Sequence, residues 1–179
     1  MVILVLNCGS SSVKYQLFNM NEETEVVAKG IVERIGFNDA ILNYKPAGKE
    51  KISEELGIPD HTVAIDKIFQ LLTDKEIGVI KDLKEIKAVG HRVVQGGESY
   101  KESVLITKDV IRDVEANIEL APLHNPANLK GIMSVENLLP GIPQVAVFDT
   151  SFHQTMPPHA YMYAIPMEFY KKYKIRKYG

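Results

Sequence analysis

The 179-residue chain sets 21 lysines and arginines against 23 aspartates and glutamates, for a formal charge of −2, with 45% hydrophobic and 25% charged residues. That balance supplies no basic field for nucleic acid or an anionic membrane surface, and it argues for a packed core over disorder. The length admits one domain, or one domain and the start of another.

Cys8 is the only cysteine, which excludes an internal disulfide and a cysteine-based zinc site and fits a reducing compartment. The apolar start, Met1 to Leu6, lacks a basic flank and is too short for a leader or a membrane span. A cytoplasmic location is expected by elimination.

Taken in order, Val2 to Leu6 is a continuous apolar run, as in a strand buried on both faces. Asn7 to Ser11 is turn chemistry, with Gly9 free to take a positive φ. Val13, Tyr15 and Leu17 then alternate with Lys14, Gln16 and Phe18, which predicts the return strand of a hairpin. A third strand follows near Glu25 to Ile31. From Asn38 to Pro59 the periodicity is weak, and turns with one weak strand are expected. Asp60 is placed to cap a helix whose apolar face is Val63, Ile65, Ile68, Phe69 and Leu72. Ile86 to Val94 reads as a buried strand, Thr107 to Ile118 as a helix, Ala127 to Leu139 as another, and Gln144 to Phe148 as a final strand ending at Asp149. Pro157 to Pro166 reads as a crossing segment before a short helix to about Tyr173. Lys171, Lys172, Lys174, Arg176 and Lys177 fit a solvated face.

Three antiparallel strands followed by helix-linked strands specify an α/β fold with a mixed sheet. In open α/β sheets ligands bind beyond the carboxyl ends of strands, where Asn7, Arg92 and Asp149 all fall.

Four segments carry chemistry. Asn7 to Lys14 puts Ser10, Ser11 and Ser12 with several backbone N–H groups around a tight turn, and Lys14 adds a mobile cation. Such a nest holds anionic oxygen, although the spacing is not that of a P-loop. In Gly90 to Glu98, Arg92 emerges from an apolar strand just before Gly96 and Gly97. Its planar fork suits a carboxylate or a phosphoryl group, while a structural pairing with Glu98 is the plainer reading. In Ala121 to Leu129, Asn125 is placed to cap a helix opened by Pro126, with His124 beside it. In Val145 to His153, Asp149 ends an apolar strand. A carboxylate there needs a hydrogen bond, a cation or a metal, and capping the turn at Thr150 to Gln154 is its plainer role.

Together these segments resemble the acetate kinase family, within the actin, hexokinase and sugar-kinase superfamily. Asn7 to Lys14 is similar to its N-x-G-S-S-S-x-K signature, and Gly90 to Glu98 to G-H-R-V-V-H-G-G-E. Pro122 to Asn128 matches P-L-H-N-P-A-N, and Val147 to Gln154 resembles F-D-T-x-F-H-Q. The likeness runs in order from Val2 to Gly179. It implies a ribonuclease H-like, actin-type domain over residues 1–150, with 151–179 crossing into the beginning of a second domain that is truncated here. The implied activity is reversible phosphoryl transfer between ATP and acetate, giving ADP and acetyl phosphate, with Mg²⁺ and a homodimeric complete protein.

By the same resemblance Asn7 contributes to the Mg²⁺ site, and Lys14 with Ser10, Ser11 and Ser12 to the ATP phosphates. Arg92 binds the carboxylate or the moving phosphoryl group. Val93 and Leu123 line a methyl pocket, His124 lies near the substrate, and Asp149 is catalytic. Acetate is already ionised at neutral pH, so Asp149 is expected to act through a metal, water or electrostatics and not by proton abstraction. Gln95 replaces the family's usual histidine, which removes a titratable group, and Cys8 replaces a small residue. Family members are longer, so this piece alone is expected to be inactive. Propionate kinase differs by about one methylene in the pocket, ~1–3 kcal/mol, and stays open as an alternative. A stand-alone phosphate- or acyl-phosphate-binding module is the reading outside enzymology.

Overall fold

The computed structural model describes residues 1–179. Eight strands form one mixed sheet: β1 (Val2–Gly9), β2 (Ser12–Met20), β3 (Thr24–Glu33), β4 (Ala40–Pro46), β5 (Ile52–Leu56), β6 (Ile86–Val93), β7 (Val104–Leu105) and β8 (Gln144–Phe148). Their order across the sheet is β5-β4-β3-β2-β1-β6-β8-β7. The first five strands pair antiparallel in chain order, β6 joins β1 in parallel and β8 joins β6 in parallel. The sheet thus changes from meander to crossover between β1 and β6, and the functional segments flank that line.

Alternation sets the two faces. Leu4, Leu6 and Cys8 of β1 stand opposite Leu17, Tyr15 and Val13 of β2, and all six are buried on the helix side. Against them pack α1 (His61–Leu72) and α3 (Asn125–Leu138), while α2 (Lys108–Ala116) rests on α3. Asp60 caps α1 by accepting from the Val63 amide at 2.9 Å, and Thr107 caps α2 by accepting from Val110. Two short helices, α4 (Pro158–Tyr161) and α5 (Met167–Tyr173), follow β8.

Several expectations change. β1 is covered on one face only: Val5 is 38% exposed, because no helix packs on its side of the sheet. The strand also runs through Gly9, which pairs with Ser12 in extended conformation, leaving only Ser10 and Ser11 in the turn. The stretch Asn38 to Pro59 contains two strands, not one weak one. Its apolar period is masked because β4 buries Asn43 and Tyr44 side by side, on opposite faces. Arg176, expected in a solvated cluster, has a side chain only 5% exposed.

Candidate active site

The ends of β1, β6 and β8 converge. Register places Leu6 beside His91 and Arg92 beside Val147, so Asn7 and Arg92 leave their strands at the same level and on the same open face. Asp149 follows β8 directly. Arg92 closes on it through Nε to both carboxylate oxygens, at 3.0 and 3.1 Å, and through Nη2 to Oδ2 at 2.7 Å. Nη1 reaches toward Asn7 Oδ1 at 3.4 Å. The carboxylate hydrogen bonds hold the guanidinium above its already high pKa, against a smaller opposing effect of burial. Both side chains stay about half open, at 49% and 40%, so the pair faces solvent with an edge to spare.

Lys14 stands directly across from Asn7 on β2. With Asn7 it borders a hollow of about 490 Å³ on the open face, whose floor includes Val5, Ile31 and Asn43. Ser10 and Ser11 are exposed at the hairpin tip. Asn7 joins the two parts: it borders the hollow with Lys14 and meets the Arg92–Asp149 pair, whose residues do not line that hollow. The pairing of Arg92 with Glu98 does not occur; Asp149 is closer in space because β6 and β8 are neighbours.

What fixes these ends is a set of buried amides on α3. Asn125 does not cap the helix; it is its first residue, and His124 in the capping position makes no side-chain bond. Fully buried, the Asn125 side chain accepts from the Gln95 amide at 3.1 Å and donates to the carbonyls of Gln95 and Val114, at 2.9 and 3.0 Å. Asn128 accepts from Val94 N and donates to Cys8 O at 2.8 Å, so one side chain ties the ends of β6 and β1 together. From α1, His61 Nε2 donates to Gly9 O at 2.7 Å. Gln95 is itself buried and accepts from the Gly97 amide, where φ is +62°. The residue at the position of the expected histidine is thus a structural amide.

Sequence reasoning missed Asn125 and Asn128 as scaffold residues. The available signal was two asparagines at i and i+3 just inside a helix start, a costly choice unless their amides bond something.

The remaining named residues separate. Val93 is fully buried among Val110, Val114, Leu129 and Phe148, and strand alternation turns it to the face opposite Arg92. Leu123 is 73% exposed and His124 is exposed. Asp149 caps nothing by its side chain; it begins a 3₁₀ turn over Asp149–His153. Behind the site, His91 is buried and hydrogen-bonded to Gln144 at 2.8 Å. Burial lowers its pKa to about 4, opposed in part by the Gln144 bond.

Oxygen donors for a hard cation are present in Asn7 and Asp149, and no group of three His, Cys, Asp or Glu side chains gathers anywhere. That donor set fits Mg²⁺, which keeps waters and uses one or two carboxylates beside phosphates.

A family profile described as the acetokinase family matches residues 2–179. The chain is 60% identical over its whole length to an acetate kinase of Desulfitobacterium hafniense (strain DSM 10664 / DCB-2), covering 45% of that protein. The crystal structure of Porphyromonas gingivalis acetate kinase superposes with a TM-score of 0.94 at 52% identity, over 99% of this chain and 44% of the other. A propionate kinase from Francisella tularensis subsp. tularensis SCHU S4 superposes with a TM-score of 0.90 at 42% identity, over 99% and 44%. The chain spans less than half the length of these relatives.

Proposed function

The chain belongs to the acetokinase family, and from that membership we propose that it supplies the carboxylate- and phosphoryl-binding half of a kinase acting on ATP and acetate, giving ADP and acetyl phosphate. The observation that carries this reading is the Arg92–Asp149–Asn7 constellation opposite Lys14.

Asp149 occupies Nε and Nη2 of Arg92 and so fixes the plane of the guanidinium, leaving the Nη1 side open toward Asn7. An acetate carboxylate, or the phosphoryl group passing to it, would meet that preset edge. Acetate arrives ionised, so no proton has to be removed, and transfer requires alignment and neutralised charge on the equatorial oxygens. Arg92 and Lys14 supply positive charge, and the hydroxyls and amides of Ser10, Ser11 and Ser12 are assigned to the phosphate chain. Asp149 is the orienting carboxylate. His124 and Leu123, exposed beside the start of α3, are assigned to the substrate side. Asn7 and Asp149 would hold Mg²⁺, which when bound neutralises phosphate charge.

Residues 151–179 are read as the beginning of a second domain, and the complete protein as a cytoplasmic homodimer without nucleic-acid or membrane partners. No helix here is long and apolar enough to cross a membrane. The deciding experiment measures Mg²⁺-dependent ADP release by the complete protein, with acetate and propionate side by side and with Asp149→Asn. Loss of turnover in the variant is expected. Undiminished turnover with normal Mg²⁺ dependence would remove Asp149 from the mechanism, and turnover only on propionate would shift the substrate by a methylene.

A further inference from the structure

Beyond the reacting groups, one carboxylate gathers the far end of the chain. Glu98 Oε1 accepts a hydrogen bond from the Tyr170 hydroxyl at 2.7 Å and one from Arg176 Nη1 at 2.5 Å. The Arg176 guanidinium lies 3.6 Å from the Tyr161 ring centroid and 5.2 Å from that of Tyr178. Lys177 N donates to Tyr161 O at 2.8 Å, which closes the segment back on itself. Tyr161 and Tyr178 meet Arg176, and Arg176 and Tyr170 both meet Glu98, so the carboxylate anchors the cluster.

That segment has no apolar core of its own: no hydrophobic residue of 158–178 is buried. Tyr163, Ile165, Met167, Phe169, Tyr173 and Ile175 are each at least 38% exposed. Apolar burial therefore does little to order it, and the Glu98 bonds carry unusual weight. An arginine side chain at 5% exposure with a single carboxylate partner is left uncompensated once that partner is removed.

The other side of the clasp is rigid. The loop bearing Glu98 is fixed by Gly96 N donating to Thr150 Oγ1 at 3.2 Å, by Gln154 Nε2 donating to Gly97 O at 2.9 Å, and by the Asn125–Gln95 bonds. Thr150 directly follows Asp149, Gln154 lies five residues beyond it, and Glu98 is six residues past Arg92. The clasp is thus referenced to both partners of the site's ion pair.

We infer that Glu98 is a positioning residue: through Tyr170 and Arg176 it sets the place of residues 158–178 relative to the Arg92–Asp149 pair. In taking that pair as the reacting end the inference rests on the proposed function; the clasp itself is tested without turnover.

The test uses this chain with Glu98→Gln, Glu98→Asp and Arg176→Met. Hydrogen exchange should accelerate at least ten-fold in residues 158–178 for Glu98→Gln and Arg176→Met, stay unchanged in 125–138, and be partly restored in Glu98→Asp. The Tyr170 phenol, which the Glu98 bond raises above its ordinary pKa, should titrate lower in Glu98→Gln when followed by absorbance near 295 nm. In the complete protein, Glu98→Gln should lower kcat at least ten-fold with the acetate KM within two-fold, since Arg92 is untouched. Unchanged exchange in 158–178, or loss of protection spread over 125–138, would overturn the clasp. Faster exchange with unaltered kcat would overturn its positioning role. A wild-type protein without turnover would refute the proposed function and leave the exchange result standing.

Discussion

Arg92 and Asp149, 57 residues apart in the chain, meet in a two-edged ion pair because β6 and β8 are parallel neighbours that end at the same level. The pair is half open to solvent, so its Coulomb attraction is screened and its stabilising worth is small.

Arg92→Ala should therefore change folding stability by no more than about 1 kcal/mol. Urea denaturation of this chain reads that directly. The same substitution in the complete protein should cost kinase activity by orders of magnitude, so activity and stability should separate at this position.

Asn125→Ala should behave oppositely. It strips partners from the Gln95 amide and carbonyl and from Val114 O, all in a buried setting. Unsatisfied buried groups cost about 1–3 kcal/mol each, so a loss of at least about 2 kcal/mol is expected in chemical denaturation.

The elements with clean patterns were legible in the sequence: β2, β3, α1, β6, α2, α3 and β8 fall close to where they were expected, and β1 lies where its apolar run put it although only one face is covered. β4 and β5 were read as one weak strand, because buried Asn43 interrupts the apolar period of β4 and β5 has no buried residue to mark it. The convergence of Asn7, Arg92 and Asp149 followed from strand ends alone. The partner of Arg92 did not, since pairing across parallel strands leaves no local signature. Val93 neighbours Arg92 in sequence and, by strand alternation, is buried on the other side of β6.

Gly96→Ala should disturb the site from behind. A Cβ at Gly96 would stand 2.5 Å from Cδ1 of Phe148, whose ring is stacked on Tyr100 at 4.4 Å. Overpacking of this kind costs about 1–3 kcal/mol, and it pushes on the residue before Asp149. A lowered urea midpoint together with a shifted Asp149 backbone amide in ¹H–¹⁵N spectra is the expected outcome.

His91 gives the fold an acid limit. Its folded pKa is lowered to about 4 from an ordinary 6.5, so between those values the unfolded state binds more protons than the native state. Stability should be full above about pH 6.5 and fall toward pH 4, by up to about 3 kcal/mol from this group. Urea midpoints measured across that range test it, and His91→Gln should flatten the slope.

Cys8 should be inert in the native protein. Burial pushes its thiol up to about 12, and its sulfur is packed against Gly131. Ellman's reagent should react with less than a tenth of the thiol until denaturant is added.

Asn128 bonds Val94 with its oxygen and Cys8 with its nitrogen. The spacing between the two strand tips, set by the parallel ladder as far as Leu6 and His91, is held beyond it by one planar amide. Moving Asn7 away from Arg92 would mean breaking both Asn128 bonds as well as the end of that ladder, so the two groups a ligand meets are held in register.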